Sequence, residues 1–98
     1  MNLYVILRRN GWATADDLKQ AGERSAELGD QDGSGVRWIR SYVVSETSGE
    51  LGTVCIYEAE SAEALRTHAG AVPMPADEII PVLDTVVVRP DPVAAAAS

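Results

Sequence analysis

Strand-like and helix-like segments alternate along this chain in the order β-α-β-β-α-β, and that order restricts the fold more than any other feature. Residues 3–9 (LYVILRR) are β-branched and aromatic and read as a strand, punctuated by Asn10-Gly11. Over residues 15–28 the pattern changes to helical spacing, with Leu18, Ala21, Ser25 and Leu28 three or four apart on one modest apolar stripe. Thr14 is the expected N-cap, and Asp16 and Asp17 lie in the first turn, where the helix dipole favours acid. Gly29 is the expected C′ residue. Residues 36–44 (VRWIRSYVV) and 52–59 (GTVCIYEA) read as two strands joined by a polar loop over 45–49. Ser61 caps a second helix over 62–69, closed near Gly70. Pro73, Pro75 and Pro81 make the next stretch irregular, and residues 82–88 (VLDTVVV) read as the fourth strand. The expectation is a ferredoxin-like α+β fold with a four-stranded antiparallel sheet.

With 98 residues there is room for one core, so a single domain is expected over 1–90, followed by a loose tail over 91–98. Phe is absent and aromatics make up only 5%, so the core rests on Val, Ile, Leu and Ala and is thin. The strand parities bear on how it is supplemented. Val54 and Ile56 share one face of their strand, while Thr53, Cys55 and Tyr57 share the other. Aliphatic groups suit a face covered by helices, which leaves Trp38, Arg40, Tyr42, Cys55 and Tyr57 on the face away from them. Residues 82–88 place apolar groups on both sides. Both faces are therefore expected to be buried, one by helices and one by a partner sheet, as in a homodimer of the dimeric α/β-barrel type. One β-bulge would invert the assignment.

The formal charge is −7, from 15 acidic and 8 basic residues. Such a field repels nucleic acid and anionic membranes, and no basic stripe overrides it. A lone Cys55 cannot form an internal disulfide, the N-terminal residues do not resemble a signal peptide, and no apolar run reaches the ~18–20 residues that span a bilayer. The cytoplasm is the expected compartment.

Two residues could serve a metal ion. His68 is the only histidine, a metal ligand or an acid/base group; helix-end packing is the plainer alternative. Cys55 is the only thiol, a soft ligand if ionised and a small buried hydrophobe otherwise. Trp38, Tyr42 and Tyr57 could line a small-molecule pocket, with Arg40 holding an anion, or could pack an interface. CxxC, HExxH, P-loop, GxGxxG and GxSxG motifs are all absent, and no residue is assigned a catalytic role. One Cys and one His cannot close a structural zinc site, so metal binding would draw on Glu58, tyrosines, water or a second subunit.

Residues 38–43 (WIRSYV), 55–59 (CIYEA) and His68-Ala69, ten residues after Glu58, together form a spaced pattern. It resembles that of the small nickel-binding, nickel-responsive proteins common in actinobacteria. The resemblance implies a ferredoxin-like subunit, homodimerisation and a bound nickel ion. By matching position, it implies His68 as principal ligand, with Cys55, Tyr42 and Tyr57 in the pocket. The expected function is therefore metal handling or sensing without turnover. The alternatives are a cofactor-independent enzyme or small-molecule-binding protein of the dimeric-barrel type, with His68 as acid/base group, and an interaction module.

Overall fold

A computed structural model describes residues 1–92. The elements are β1 (Asn2–Trp12), α1 (Ala15–Gly29), β2 (Val36–Ser45), β3 (Leu51–Ala59), α2 (Ala62–Ala71) and β4 (Glu78–Pro81). All neighbouring strands pair antiparallel in the order β2-β3-β1-β4, the ferredoxin-like arrangement. Both helices start where the sequence signals them. Thr14 Oγ1 accepts from the Asp17 amide at 3.1 Å, and Ser61 Oγ accepts from the Ala64 amide at 3.2 Å. The helices cover one face of the sheet, where Tyr4, Ile6, Val36, Cys55, Tyr57, Ala59 and Leu65 form the buried core.

The fourth strand lies earlier than expected. It is Glu78–Pro81 that pairs with β1, and residues 82–88 form no strand. Register explains this. Pro81 sits opposite Tyr4, and the Val82 amide donates to Leu3 O at 2.9 Å. Since β1 begins at Asn2, a chain running antiparallel to it beyond Val82 has no backbone left to pair with. Val86, Val87 and Val88 are consequently exposed. Of the tail expected over 91–98, residues 93–98 lie outside the described residues. Asp91, its first residue, accepts a hydrogen bond from Tyr42 Oη at 2.7 Å.

The distribution of side chains between the faces also differs from expectation. On β3 it is Thr53, Cys55 and Tyr57 that point to the helices, whereas Val54 and Ile56 are half-buried on the open face. On β2 the alternation is broken. Trp38 pairs with Tyr57 but Arg40 pairs with Ile56, so Ile39 is an extra, bulged residue. The bulge sends Trp38 to the helix face and Arg40 and Tyr42 to the open face.

In β1 the Asn10-Gly11 pair does not end the strand but makes a wide bulge, with Arg8 opposite Thr53 and Trp12 opposite Leu51. Asn10 takes a φ of 49° there. Two carboxylates secure the loop. Glu46 accepts from the Asn10 amide at 2.6 Å and from Arg9 at 3.0 Å, and Asp77 accepts from the Arg9 amide at 2.6 Å. The Arg9 guanidinium, and then the Asn10 amide, hold the Glu46 carboxyl below its ordinary pKa. Gly52 lies beside this bulge, where a Cβ would meet Arg8 O at 2.7 Å, so only glycine lets the strands approach.

Candidate ligand cavity

A cavity of about 210 Å³ lies between α1 and the helix face of the sheet. Its floor comes from β1, β2 and β3 through Arg8, Trp38, Cys55 and Tyr57, its roof from α1 through Leu18, Gly22 and Ser25, and Trp12 and Met74 close its sides. The local sequence explains why the space exists. Leu18, Gly22 and Ser25 fall on one stripe of α1, and at the middle of that stripe stands the residue without a side chain. A Cβ on Gly22 would rest 3.7 Å from the Trp38 ring, an ordinary contact. Alanine would therefore fit and would favour the helix by about 1 kcal/mol. The glycine keeps the roof high.

One wall is aromatic. Trp38 stacks on Tyr57 with centroids 6.1 Å apart and planes within 7°. The Trp38 indole N–H donates to Ser41 Oγ at 2.8 Å. Ser41 in turn donates to Cys55 Sγ at 3.0 Å, and the thiol reaches Thr53 Oγ1 at 3.3 Å. Cys55 is thus a buried free thiol held between two hydroxyls.

Behind Tyr57 runs a buried polar relay. Ser25 Oγ lies 2.8 Å from Tyr57 Oη and 3.0 Å from His68 Nε2. Arg8 lies over the Tyr57 ring, its Cζ 5.9 Å from the centroid, and can only donate. The proton order along Tyr57, Ser25 and His68 Nε2 follows the histidine tautomer: with the His68 proton on Nδ1, Tyr57 donates to Ser25 and Ser25 to Nε2. Burial raises the Tyr57 pKa, partly offset by the bond to Ser25 and the charge of Arg8. Burial, and then the Arg8 charge, lowers that of His68. Both groups are held neutral.

The expected site residues divide into three places. Trp38, Tyr57 and Cys55 line the cavity. His68 touches Tyr57 and Ser25 from behind and faces a separate surface recess beside Asp32 and Ser34. Arg40, Tyr42 and Glu58 are on the open face, where Asp91 binds Arg40 (3.4 Å) and Tyr42, and Arg37 binds Glu58 at 3.5 Å. The hydrogen bond to Asp91 raises the Tyr42 pKa.

Arg8, Gly22 and Ser25 complete the cavity, and no sequence motif marks them for function. Parity could have found Arg8, which stands in phase with the core residues Tyr4 and Ile6 at a position where a charge is anomalous.

Comparison with known proteins agrees with the fold. The family model "Nickel responsive protein SCO4226-like" matches residues 4–82, most of the chain. The chain belongs to the SCO4226-like family. The crystal structure of SCO4226 from Streptomyces coelicolor A3(2) superposes with a TM-score of 0.69 at 21% identity, covering 86% of this chain and 99% of that one. At that identity the likeness concerns the fold alone. No curated protein matches.

The nickel that the family description brings to mind finds no complete donor set in a single protomer. Among the described residues, no three His, Cys, Asp or Glu side chains are grouped to hold a metal ion. His68 Nε2 is engaged by the Ser25 hydroxyl at 3.0 Å, and Cys55 opens on a cavity that His68 does not line.

A pH dependence follows from His68. Because its folded-state pKa is depressed, the unfolded chain takes up the proton first as pH falls. Stability is full above the ordinary histidine value of ~6.5 and is lost as pH falls below it and through the folded-state pKa. Urea unfolding between about pH 7.5 and about pH 5 should show this decline, and His68→Gln should flatten it. An equal slope in the variant would assign the acid sensitivity to other groups.

Proposed function

We propose that this SCO4226-like protein is a homodimeric small-molecule-binding protein that takes a compact, single-ring ligand into the cavity beneath α1. The observation that carries this reading is the cavity itself. It is kept open by Gly22 at a cost to helix stability, in a domain whose core is already thin. Its exposed surface is almost wholly apolar, with a few polar side chains among the lining residues, which is the usual composition of a ligand site. A dry cavity of ~150 Å³ accepts benzene. The 210 Å³ here suits one ring with a small substituent.

Filling the roof tests the idea. In a fragment screen read by ligand-observed NMR, single-ring compounds should bind the wild-type chain and shift its tryptophan fluorescence, since Trp12 and Trp38 line the cavity. Gly22→Leu should abolish both responses without lowering Tm. Undiminished binding in that variant would place the site elsewhere.

Homodimerisation is supported by the open face. Val5, Leu7, Val54 and Ile56 are half-buried there, Tyr42 and Ile80 are exposed, and among the described residues no helix or strand covers them, although the irregular segment that carries Asp91 reaches Tyr42. The solution mass should be twice the 10.4 kDa chain mass, and Ile56→Asp should halve it. A wild-type monomer at micromolar concentration would refute the dimer.

The family match favours a second reading, in which nickel binds at His68 and the protein acts in nickel handling or sensing. A single protomer offers too few donors, so on this reading a second copy or solvent completes the set. Calorimetric titration of chelator-stripped protein with nickel should then give stoichiometric uptake that His68→Ala removes. Equal uptake by the variant would eliminate His68 as the ligand.

A further inference from the structure

The cavity contains a charge that the protein itself does not neutralise. Arg8 is 1% exposed, and its guanidinium donates through one terminal nitrogen to the carbonyl of Pro75. Its Nη2 is buried and has no hydrogen-bond partner. The guanidinium acts on the Tyr57 hydroxyl by its charge and as a weak donor, yet Nη2 stays without a partner. Elsewhere in the same chain, Arg9, Arg37 and Arg40 each have a carboxylate within 3.5 Å. With 15 acidic residues available, none lines this cavity, whose only other ionisable nitrogen base is Lys19.

A buried guanidinium with a neutral carbonyl and an aromatic face as its company is a costly arrangement, and an anion is what it lacks. An unsatisfied buried donor in a native fold calls for an explanation, and an absent ligand is among the ordinary ones. The remaining surroundings decide which anion. Phosphate and sulfate are satisfied by several donors at once, whereas these walls are apolar and aromatic. A ring carrying one carboxylate matches both halves, the ring against Trp38 and Leu18 and the carboxylate at Arg8.

We propose that the cavity is a binding site for a small organic monocarboxylate, of the aromatic-acid class, whose carboxylate pairs with the Arg8 guanidinium. This rests on the small-molecule reading above and specifies its ligand class.

The test uses the full chain and three probes: benzoate, its neutral isostere benzamide, and inorganic phosphate. Binding is read by tryptophan fluorescence and calorimetry. Benzoate should bind about ten- to a hundredfold more tightly than benzamide, the range expected for a charge-assisted hydrogen bond in a desolvated site. Arg8→Met, which keeps the length of the side chain and removes the charge, should bring benzoate down to the benzamide level. Arg8→Lys should retain part of the preference, and thermal unfolding of both variants checks the fold. The benzoate–benzamide comparison on the wild-type chain needs no variant. Equal affinity for the two rings would overturn the anion while leaving a small-molecule cavity in place. Phosphate binding as tightly as benzoate would overturn the aromatic-acid class. Failure of every ring compound to bind, charged or neutral, would overturn this proposal together with the reading on which it rests.

Discussion

One inserted residue, Ile39, governs how the sheet divides its chemistry between two faces. Before it, Trp38 is held over Tyr57 by the β2–β3 register; after it, every side chain of β2 has exchanged sides. Without the bulge, a strand that kept Trp38 under α1 would also send Arg40 and Tyr42 there, two bulky polar groups competing for the space now left as a cavity. With it, Ser41 and Val43 take those inward positions, and Ser41 is small enough to bridge the indole N–H and the Cys55 thiol. The larger pair is moved to the open face, where Asp91 holds both. The cavity beneath α1 therefore depends on backbone register as much as on the glycine in its roof.

The polar groups beneath the helices form a single series. Arg8 lies over the Tyr57 ring, the Tyr57 hydroxyl meets Ser25, and Ser25 meets neutral His68 at Nε2. Each member is buried, so losing one strands its neighbour at a cost of about 1–3 kcal/mol. The same ordering ties His68 to the cavity without placing it in the wall. A lone histidine on a helix end reads naturally as a ligand. Here its role toward Ser25 and Tyr57 consumes the nitrogen nearest the cavity.

Much of the fold was legible because local signals and tertiary context agreed. Thr14 and Ser61 cap the helices as their side chains suggest, and the three strands rich in β-branched and aromatic residues form where expected. Two features were not legible, for different reasons. The run Val86-Val87-Val88 has stronger strand propensity than Glu78–Pro81, but propensity cannot know that β1 has run out of backbone at Asn2. The face assignment failed on a preference, that aliphatic side chains go under helices. In this chain Thr53, Cys55 and Tyr57 occupy that place because the Cys55 thiol bonds the Thr53 hydroxyl and is itself held by Ser41, while Ser25, backed by His68, bonds the Tyr57 hydroxyl. Those partners come from three other elements, and a strand read by itself does not show them.

The placement of candidate residues has a consequence for how family membership bears on function. The family match ends at residue 82, the point where the chain leaves β1. Beyond it, residues 83–92 carry Asp91 to the opposite edge of the sheet, engaging Arg40 and Tyr42. Two of the groups singled out for a pocket are thus occupied by a segment outside the matched region. Cys55, Trp38 and Tyr57, on the other face, remain turned toward the cavity with Arg8. A soft donor there sits beside an uncompensated positive charge, and that charge disfavours a cation while favouring an anion in the same space. Coulomb's law thus weighs against a metal cation in the cavity beside Arg8.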